Sequence, residues 1–271
     1  MLFTAFIKAL LTLLFLLAIP TFLLATNVRW AVNEIRLYEY GFNKYEVSAT
    51  TGLEKEELTK VAREIRDYFN SNQELLEVNV RLRGKDSPLF NEREVLHMKD
   101  VKGLVQGVYR AQQWSGGYIL LYVIAGLVIA HFSFLRPLIR YAMWGGAITL
   151  SLVIVAGIAI LAGFEKLFLI FHIVSFQNSL WQLDPQRDYL IMMFPPGFFF
   201  DATKFIALAT VAEALALSGS TYGVLRWLPR GGRAGTGARA SRPSGRRHSP
   251  RARSQGSRHR QPKASPRRSR R

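Results

Sequence analysis

Four stretches of the chain are apolar for long enough to cross a bilayer, which takes about 20 mainly apolar residues per helix. They cover residues 1–26, 116–135, 141–163 and 201–227. The first exceeds the ~7–15 residues of a signal-peptide core and offers no small-residue cleavage site, so it predicts a helix that stays in the membrane, bent at Pro20. Between the first two stretches, residues 27–115 are too polar for lipid and change period. "TGLEKEELTKVAREIRDYFN" places Leu58, Val61, Ile65 and Phe69 on one helical face, with Thr51 and Glu54 in capping-box spacing. "EVNVRLR" alternates through Val78, Val80 and Leu82 and predicts a short strand. A further helix is predicted to begin at Asn91, with Glu94 as its reciprocal cap and His97, Val101, Leu104 and Val108 on its inward face. Residues 164–200 start with helical spacing, stacking Glu165, Leu169, His172 and Phe176, then break into a loop at "QLDPQRD". The whole pattern predicts a mainly α chain: a four-helix transmembrane bundle, a small extracytoplasmic α+β cap, and a disordered basic C-terminal tail over residues 228–271.

Charge gives the bundle a direction. The formal charge is +17, yet 15 of the 36 Lys and Arg residues lie beyond Leu228, where there is no Asp or Glu. The rest of the chain is nearly neutral, with 21 basic against 19 acidic residues. Arg136 and Arg140, in the short connection between the second and third stretches, and the Arg-rich tail are therefore expected in the cytoplasm. Both termini are then cytoplasmic, and segments 27–115 and 164–200 share the extracytoplasmic face of a cytoplasmic membrane. The tail, rich in Gly, Ser, Pro and Arg, has too little apolar content to fold alone. Its readings are contact with anionic lipid, contact with nucleic-acid phosphates, or a solvated extension whose charge fixes topology. It has no interleaved aromatics, which argues against base stacking.

The absence of cysteine excludes disulfides, thiolate nucleophiles and Cys-ligated zinc. No HExxH, GxSxG or GxxxxGK[ST] pattern occurs. "HMKD" supplies only two ligand types in one turn, so no metal site is expected. Of five histidines, His248 and His259 lie in the tail and His131 near the cytoplasmic end of the second stretch. Only His97 and His172 fall on the extracytoplasmic side. Two imidazoles at one interface suit general acid–base chemistry, because their ordinary pKa lies near working pH; the plainer reading is a hydrogen-bonded structural pair. Arg93, at i−4 from His97, and Asp100, at i+3, are both within reach of its ring. Asn178, Trp181, Asp184, Arg187 and Asp188 gather in the loop after His172, beside a dense aromatic group suited to the membrane–water boundary. Glu165, Asp184 and Asp188 either orient the imidazoles or are solvated interfacial charges; Arg93 and Arg187 either hold a carbonyl oxygen or pair with acids.

"LFNEREVLHMKDVKGLV" and "FHIVSFQNSLWQLDPQRDYLIMMFPPGFFFD", with the four-span layout, resemble the lipoprotein intramolecular transacylase (Lit) family of bacterial integral membrane proteins. The resemblance covers about residues 5–227. It implies movement of the sn-2 acyl chain of a diacylglyceryl lipoprotein to the α-amine of its N-terminal cysteine, without a cofactor. It also implies membrane lipids and the lipoprotein as partners, and His97 and His172 as the catalytic pair. The competing readings are a partner-binding or regulatory membrane protein and a phospholipid hydrolase.

Overall fold

In a computed structural model, residues 2–82 and 85–227 are described. The tail expected to be disordered lies outside them. Eight α-helices and one two-stranded sheet make up the described chain. Helix α1 (Leu2–Asn33) runs unbroken through Pro20 and ends seven residues beyond the apolar stretch. Three helices follow, α2 (Ile35–Lys44), α3 (Val47–Thr51) and α4 (Lys55–Asn70), then strands β1 (Asn79–Leu82) and β2 (Lys85–Pro88), which pair antiparallel with Val80 opposite Ser87. Helix α5 (Glu92–Ala130) leads through a 3-10 turn (His131–Phe134) into α6 (Leu135–Ser175). An irregular stretch and the short α7 (Tyr189–Met193) precede α8 (Pro196–Trp227).

The predicted amphipathic helix and strand are present. Leu58, Val61, Ile65 and Phe69 are all buried on α4, and Val78 and Val80 are buried at β1. The expected cap of α4 differs. Thr51 ends α3 instead, donating its hydroxyl to the Val47 carbonyl at 2.7 Å, and Glu54 is the N-cap of α4 without a side-chain bond. Gly52 breaks the two helices apart with φ 74°, a left-handed conformation that costs glycine little.

Helix α5 begins where predicted. The Asn91 side chain accepts from the Glu94 backbone at 3.1 Å, and Glu94 accepts from the Asn91 backbone at 2.8 Å. The helix then continues from the cap into the second apolar stretch with no break. Its inward face is rotated from the expected one. Glu94, His97, Met98 and Lys102 are buried, while Leu104 is exposed. Lys102 lies inward because its ammonium reaches the Gln73 carbonyl at 2.6 Å and sits 4.1 Å over the Tyr68 ring.

The cap core joins Tyr38 and Phe42 of α2, the apolar face of α4, Val80, Met98 of α5, Met193 of α7, Phe194 just before α8 and Phe198 in its first turn. The long helices, two of which reach this core through Met98 and Phe198, also pack on one another. Helix α1 is central, contacting α5, α6 and α8; α6 and α8 form the most extensive pair; α5 and α6, although consecutive, make no substantial contact with each other. Glycines set the close approaches. A Cβ on Gly145 would lie 2.3 Å from Ile19, and one on Gly146 would lie 2.2 Å from Ser218. Close approach of helices is the role that small residues serve in such packing.

Among the described residues, Phe3–Asn33 and the merged stretch Glu92–Ser175 contain helices long and apolar enough to cross a membrane. Their outer surfaces are apolar, with Phe6, Leu13, Leu121, Val128, Val155 and Leu161 exposed. Helix α8, expected as the fourth span, is long but carries Asp201, Lys204, Glu213 and Arg226. Part of that polarity is consumed internally: Asn27 of α1 donates to Glu213 at 2.8 Å and to Thr210 at 3.1 Å.

Candidate functional site

His97 and His172 come together although 75 positions separate them. Their ring centroids lie 6.3 Å apart at an interplanar angle of 31°. His97 stands on the second turn of α5. His172 stands on the last turn of α6, after Gly163 departs from helical geometry (φ 174°, ψ 72°) and redirects residues 164–175. Those residues, predicted as an extracytoplasmic segment, continue α6 and expose Ile170, Ile173 and Val174. The helix thus presents aliphatic side chains outward and His172 toward α5.

The two rings have different surroundings. His172 Nδ1 lies 2.7 Å from the Phe168 carbonyl oxygen. A carbonyl can only accept, so Nδ1 carries the proton and Nε2 holds the free lone pair of the neutral ring. Aromatic rings enclose His172: Phe168 at 4.4 Å, Trp181 at 5.2 Å, Phe171 at 5.3 Å and Phe176 at 5.6 Å between centroids. His97 is 6 % exposed, with Phe176 at 5.0 Å. Its Nδ1 is buried, and no described residue offers it a hydrogen bond. Burial pushes the His97 imidazole down to about 4; neighbouring His172 acts in the same direction and Asp100 opposes. His97 is therefore neutral at pH 7, with Nδ1 unpartnered among the described residues.

Arg93 and Asp100 do not bond the His97 ring. From one turn on either side of it they fasten the loop that follows His172. Arg93 donates to the carbonyls of Ser179 and Leu180, and Asp100 accepts from Asn178 at 2.8 Å. Trp181 and Phe176 are thereby held against the two imidazoles. A second fastening lies deeper. Glu94, 1 % exposed, accepts from the Leu190 backbone at 2.6 Å as well as from Asn91. Burial raises the pKa of its carboxyl, and these backbone bonds oppose the rise. Asp188 is wholly buried and accepts from Asn91 at 2.9 Å, the Asp184 backbone at 2.7 Å and Arg187 at 3.1 Å. Burial alone would raise the Asp188 pKa, and those three donors hold it below its ordinary value instead.

Asp184 and Arg187 shape this turn and do not reach the imidazoles. Glu165 is exposed on the distal part of α6, with no hydrogen bond or ion pair to another described residue. Sequence reasoning took Glu94 as a helix cap only and passed over Phe168, whose carbonyl fixes the His172 tautomer. The signal for Glu94 was its i−3 spacing from His97. Among the described residues, no group of three or more His, Asp or Glu could hold a metal ion. An open cavity of about 570 Å³ lies elsewhere, lined by Glu39, Phe42, Lys55 and Thr59, and contains neither histidine.

The arrangement can move a proton at the edge of an apolar, aromatic-walled space. The family model described as lipoprotein intramolecular transacylase Lit matches residues 13–199. An Aquifex aeolicus (strain VF5) protein, described only as uncharacterized, is 27% identical over 202 residues, covering 74% of this chain and 88% of its own. The in meso structure of the membrane integral lipoprotein intramolecular transacylase Lit from Bacillus cereus is similar with a TM-score of 0.68 and 20% identity, covering 82% of this chain and 97% of that one. A histidine-to-alanine variant of that protein is similar with a TM-score of 0.65 and 20% identity, over 83% and 95% of the two chains.

Proposed function

Since this chain belongs to the lipoprotein intramolecular transacylase family, we propose that it moves the sn-2 acyl chain of a diacylglyceryl lipoprotein to the α-amine of the N-terminal cysteine. The observation that carries the reading is the unlike pair of imidazoles: His172 with a fixed tautomer and free Nε2, and His97 buried, neutral and with an unpartnered nitrogen. His172 Nε2 takes the proton from the substrate amine, whose ordinary pKa is about 8 against about 6.5 for histidine. The amine nitrogen then attacks the ester carbonyl carbon. The resulting imidazolium is stabilised by the Phe168 carbonyl and the face of Trp181. His97, as a neutral N–H donor, stabilises the tetrahedral oxyanion. Collapse breaks the bond between the carbonyl carbon and the glycerol oxygen; that oxygen recovers the proton from His172, and the nitrogen sheds its second proton to water, leaving a neutral amide. Ester and amine belong to one molecule, so the site need only fold it into attacking geometry.

Geometry suggests how the lipid part is accommodated. Helices α5 and α6 each lean on α1 but little on each other, so in this reading the acyl chains lie between them, where the histidines mark one end. Acyl chains lying there carry their glycerol ester to the pair. Helices α1, α5, α6 and α8 cross the cytoplasmic membrane in this reading, with the cap and histidines outside and Arg136, Arg140 and the tail inside.

The test is turnover of a synthetic diacylglyceryl lipopeptide by the purified protein, with products separated by chromatography and their acyl positions read from mass-spectrometric fragments. An N-acylated, monoacylglyceryl peptide of unchanged total mass supports transfer. Released fatty acid with an unmodified amine would replace the reading with hydrolysis.

A further inference from the structure

On the other side of the aromatic wall from the histidines, a cluster carries more positive charge than its own structure requires. Asp201 has a side chain 3% exposed at the start of α8. Lys44 of α2 reaches its Oδ2 at 2.6 Å, Lys204 reaches its Oδ1 at 2.6 Å, and the Tyr45 hydroxyl donates to Oδ2 at 2.8 Å. One ammonium balances one buried carboxylate. The second leaves a net positive charge, and both lysine side chains remain nearly half exposed, at 41% and 45%.

Each ammonium has three N–H donors, and Asp201 takes one from each. The remaining donors belong to two cations that one carboxylate holds side by side. Rings fix the lysines further: Lys204 Nζ lies 4.6 Å from the Phe200 centroid, and Lys44 Nζ lies 5.6 Å from those of Tyr40 and Tyr45. The surroundings are those of a bilayer boundary. Tyr40 and Phe205 are partly exposed and packed edge to face, and one turn further along α8 Leu208 is 66% exposed.

We propose that Lys44 and Lys204 form a binding site for the phosphate of an anionic membrane phospholipid. The site is separate from the transacylase centre, whose lipoprotein substrate carries no phosphate on its diacylglyceryl group. The proposal rests on the membrane placement of α8 given above. Asp201 acts as the template: it sets the ammonium spacing, and the two ammoniums more than offset its charge. The aromatic side chains seat the glycerol region, and the apolar face of α8 below them receives the acyl chains.

The experiment is residue-resolved lysine acylation of the full chain in nanodiscs, read by mass spectrometry. Discs of phosphatidylglycerol are compared with discs of phosphatidylcholine, the latter with and without inorganic phosphate. Lys44 and Lys204 are expected to react about fivefold more slowly in phosphatidylglycerol than in either phosphatidylcholine sample, relative to exposed Lys55. Lys204→Gln should return Lys44 to its phosphatidylcholine rate, while Lys204→Arg should preserve its protection. Equal rates in both lipids, or protection of Lys44 that survives Lys204→Gln in folded protein, would overturn the proposal. Protection by inorganic phosphate in phosphatidylcholine discs would overturn the lipid as its source. Acyl transfer in the same discs reports separately on the transacylase reading, because neither lysine belongs to the histidine site.

Discussion

His172 owes its free Nε2 to one hydrogen bond, from Nδ1 to the Phe168 carbonyl, and that bond is local to α6. The i−4 spacing of Phe168 was legible in the sequence, but its carbonyl was not, because a helical carbonyl ordinarily serves the i+4 backbone amide. Replacing His172 by Ala should lower the transfer rate by about 10²–10⁴-fold, the usual worth of general acid–base catalysis, with the helical circular-dichroism spectrum unchanged. His97 makes a different prediction. With its protonation pushed down to about 4 by burial, acid favours the unfolded chain, in which the ring protonates near 6.5. Its contribution to stability is therefore complete above pH 6.5 and lost progressively as pH falls toward 4. NMR titration of ring-labelled His97 should find it neutral at pH 6, and His97→Phe should flatten the acid limb of the stability profile.

At the level of elements, the histidine pair depends on how the loop after α6 is tied to α5. Arg93 and Asp100 hold the carbonyl of Ser179 and the amide of Asn178, and Glu94 holds the Leu190 amide in the protein interior. All three acidic or basic positions were visible as neighbours of His97. What they bind was not, since their partners lie more than 75 residues away. The combined Arg93→Ala, Asp100→Ala variant should keep its fold and lose about 10²-fold in rate, because a misplacement of roughly 1 Å costs that much. A circular-dichroism melt and a lipopeptide turnover assay on the same sample separate the two effects. Packing of α2 on α8 is equally specific. A Cβ at Gly41 would lie 2.2 Å from the Phe198 ring, so Gly41→Ala should cost about 1–3 kcal/mol, read as a lower Tm in detergent. Periodicity revealed α4 and β1 because each buries one side of a regular element against the cap core. It misplaced the inward face of α5, where Lys102 is buried through its contacts with Gln73 and Tyr68 and Leu104 is not. It also divided α5 at residue 116, since composition changes there while the backbone hydrogen bonds of the helix continue.

For the whole molecule, the order of packing matters more than the order of the chain. Helix α1 packs against both α5 and α6, which meet each other little except where His97 faces His172. Hydropathy could locate the apolar stretches but could not rank their neighbours, because lipid-facing and helix-facing positions are both apolar. The family match ends at residue 199, well before the basic tail. Deletion of residues 229–271 should accordingly leave the transfer rate within about twofold of the full chain, measured on equal amounts of membrane protein.

The most direct measurement is tandem mass-spectrometric fragmentation of a lipoprotein's N-terminal peptide, which locates each acyl chain, from a host that makes only the diacylglyceryl form, with this protein expressed intact, as His97→Ala or as His172→Ala. The expected result is an N-acylated cysteine bearing a monoacylglyceryl group with the intact protein, and a persistent diacylglyceryl peptide with either variant. A peptide that stays diacylated when the intact protein is folded in the membrane, or one that is converted equally well by both variants, would contradict transfer by this histidine pair.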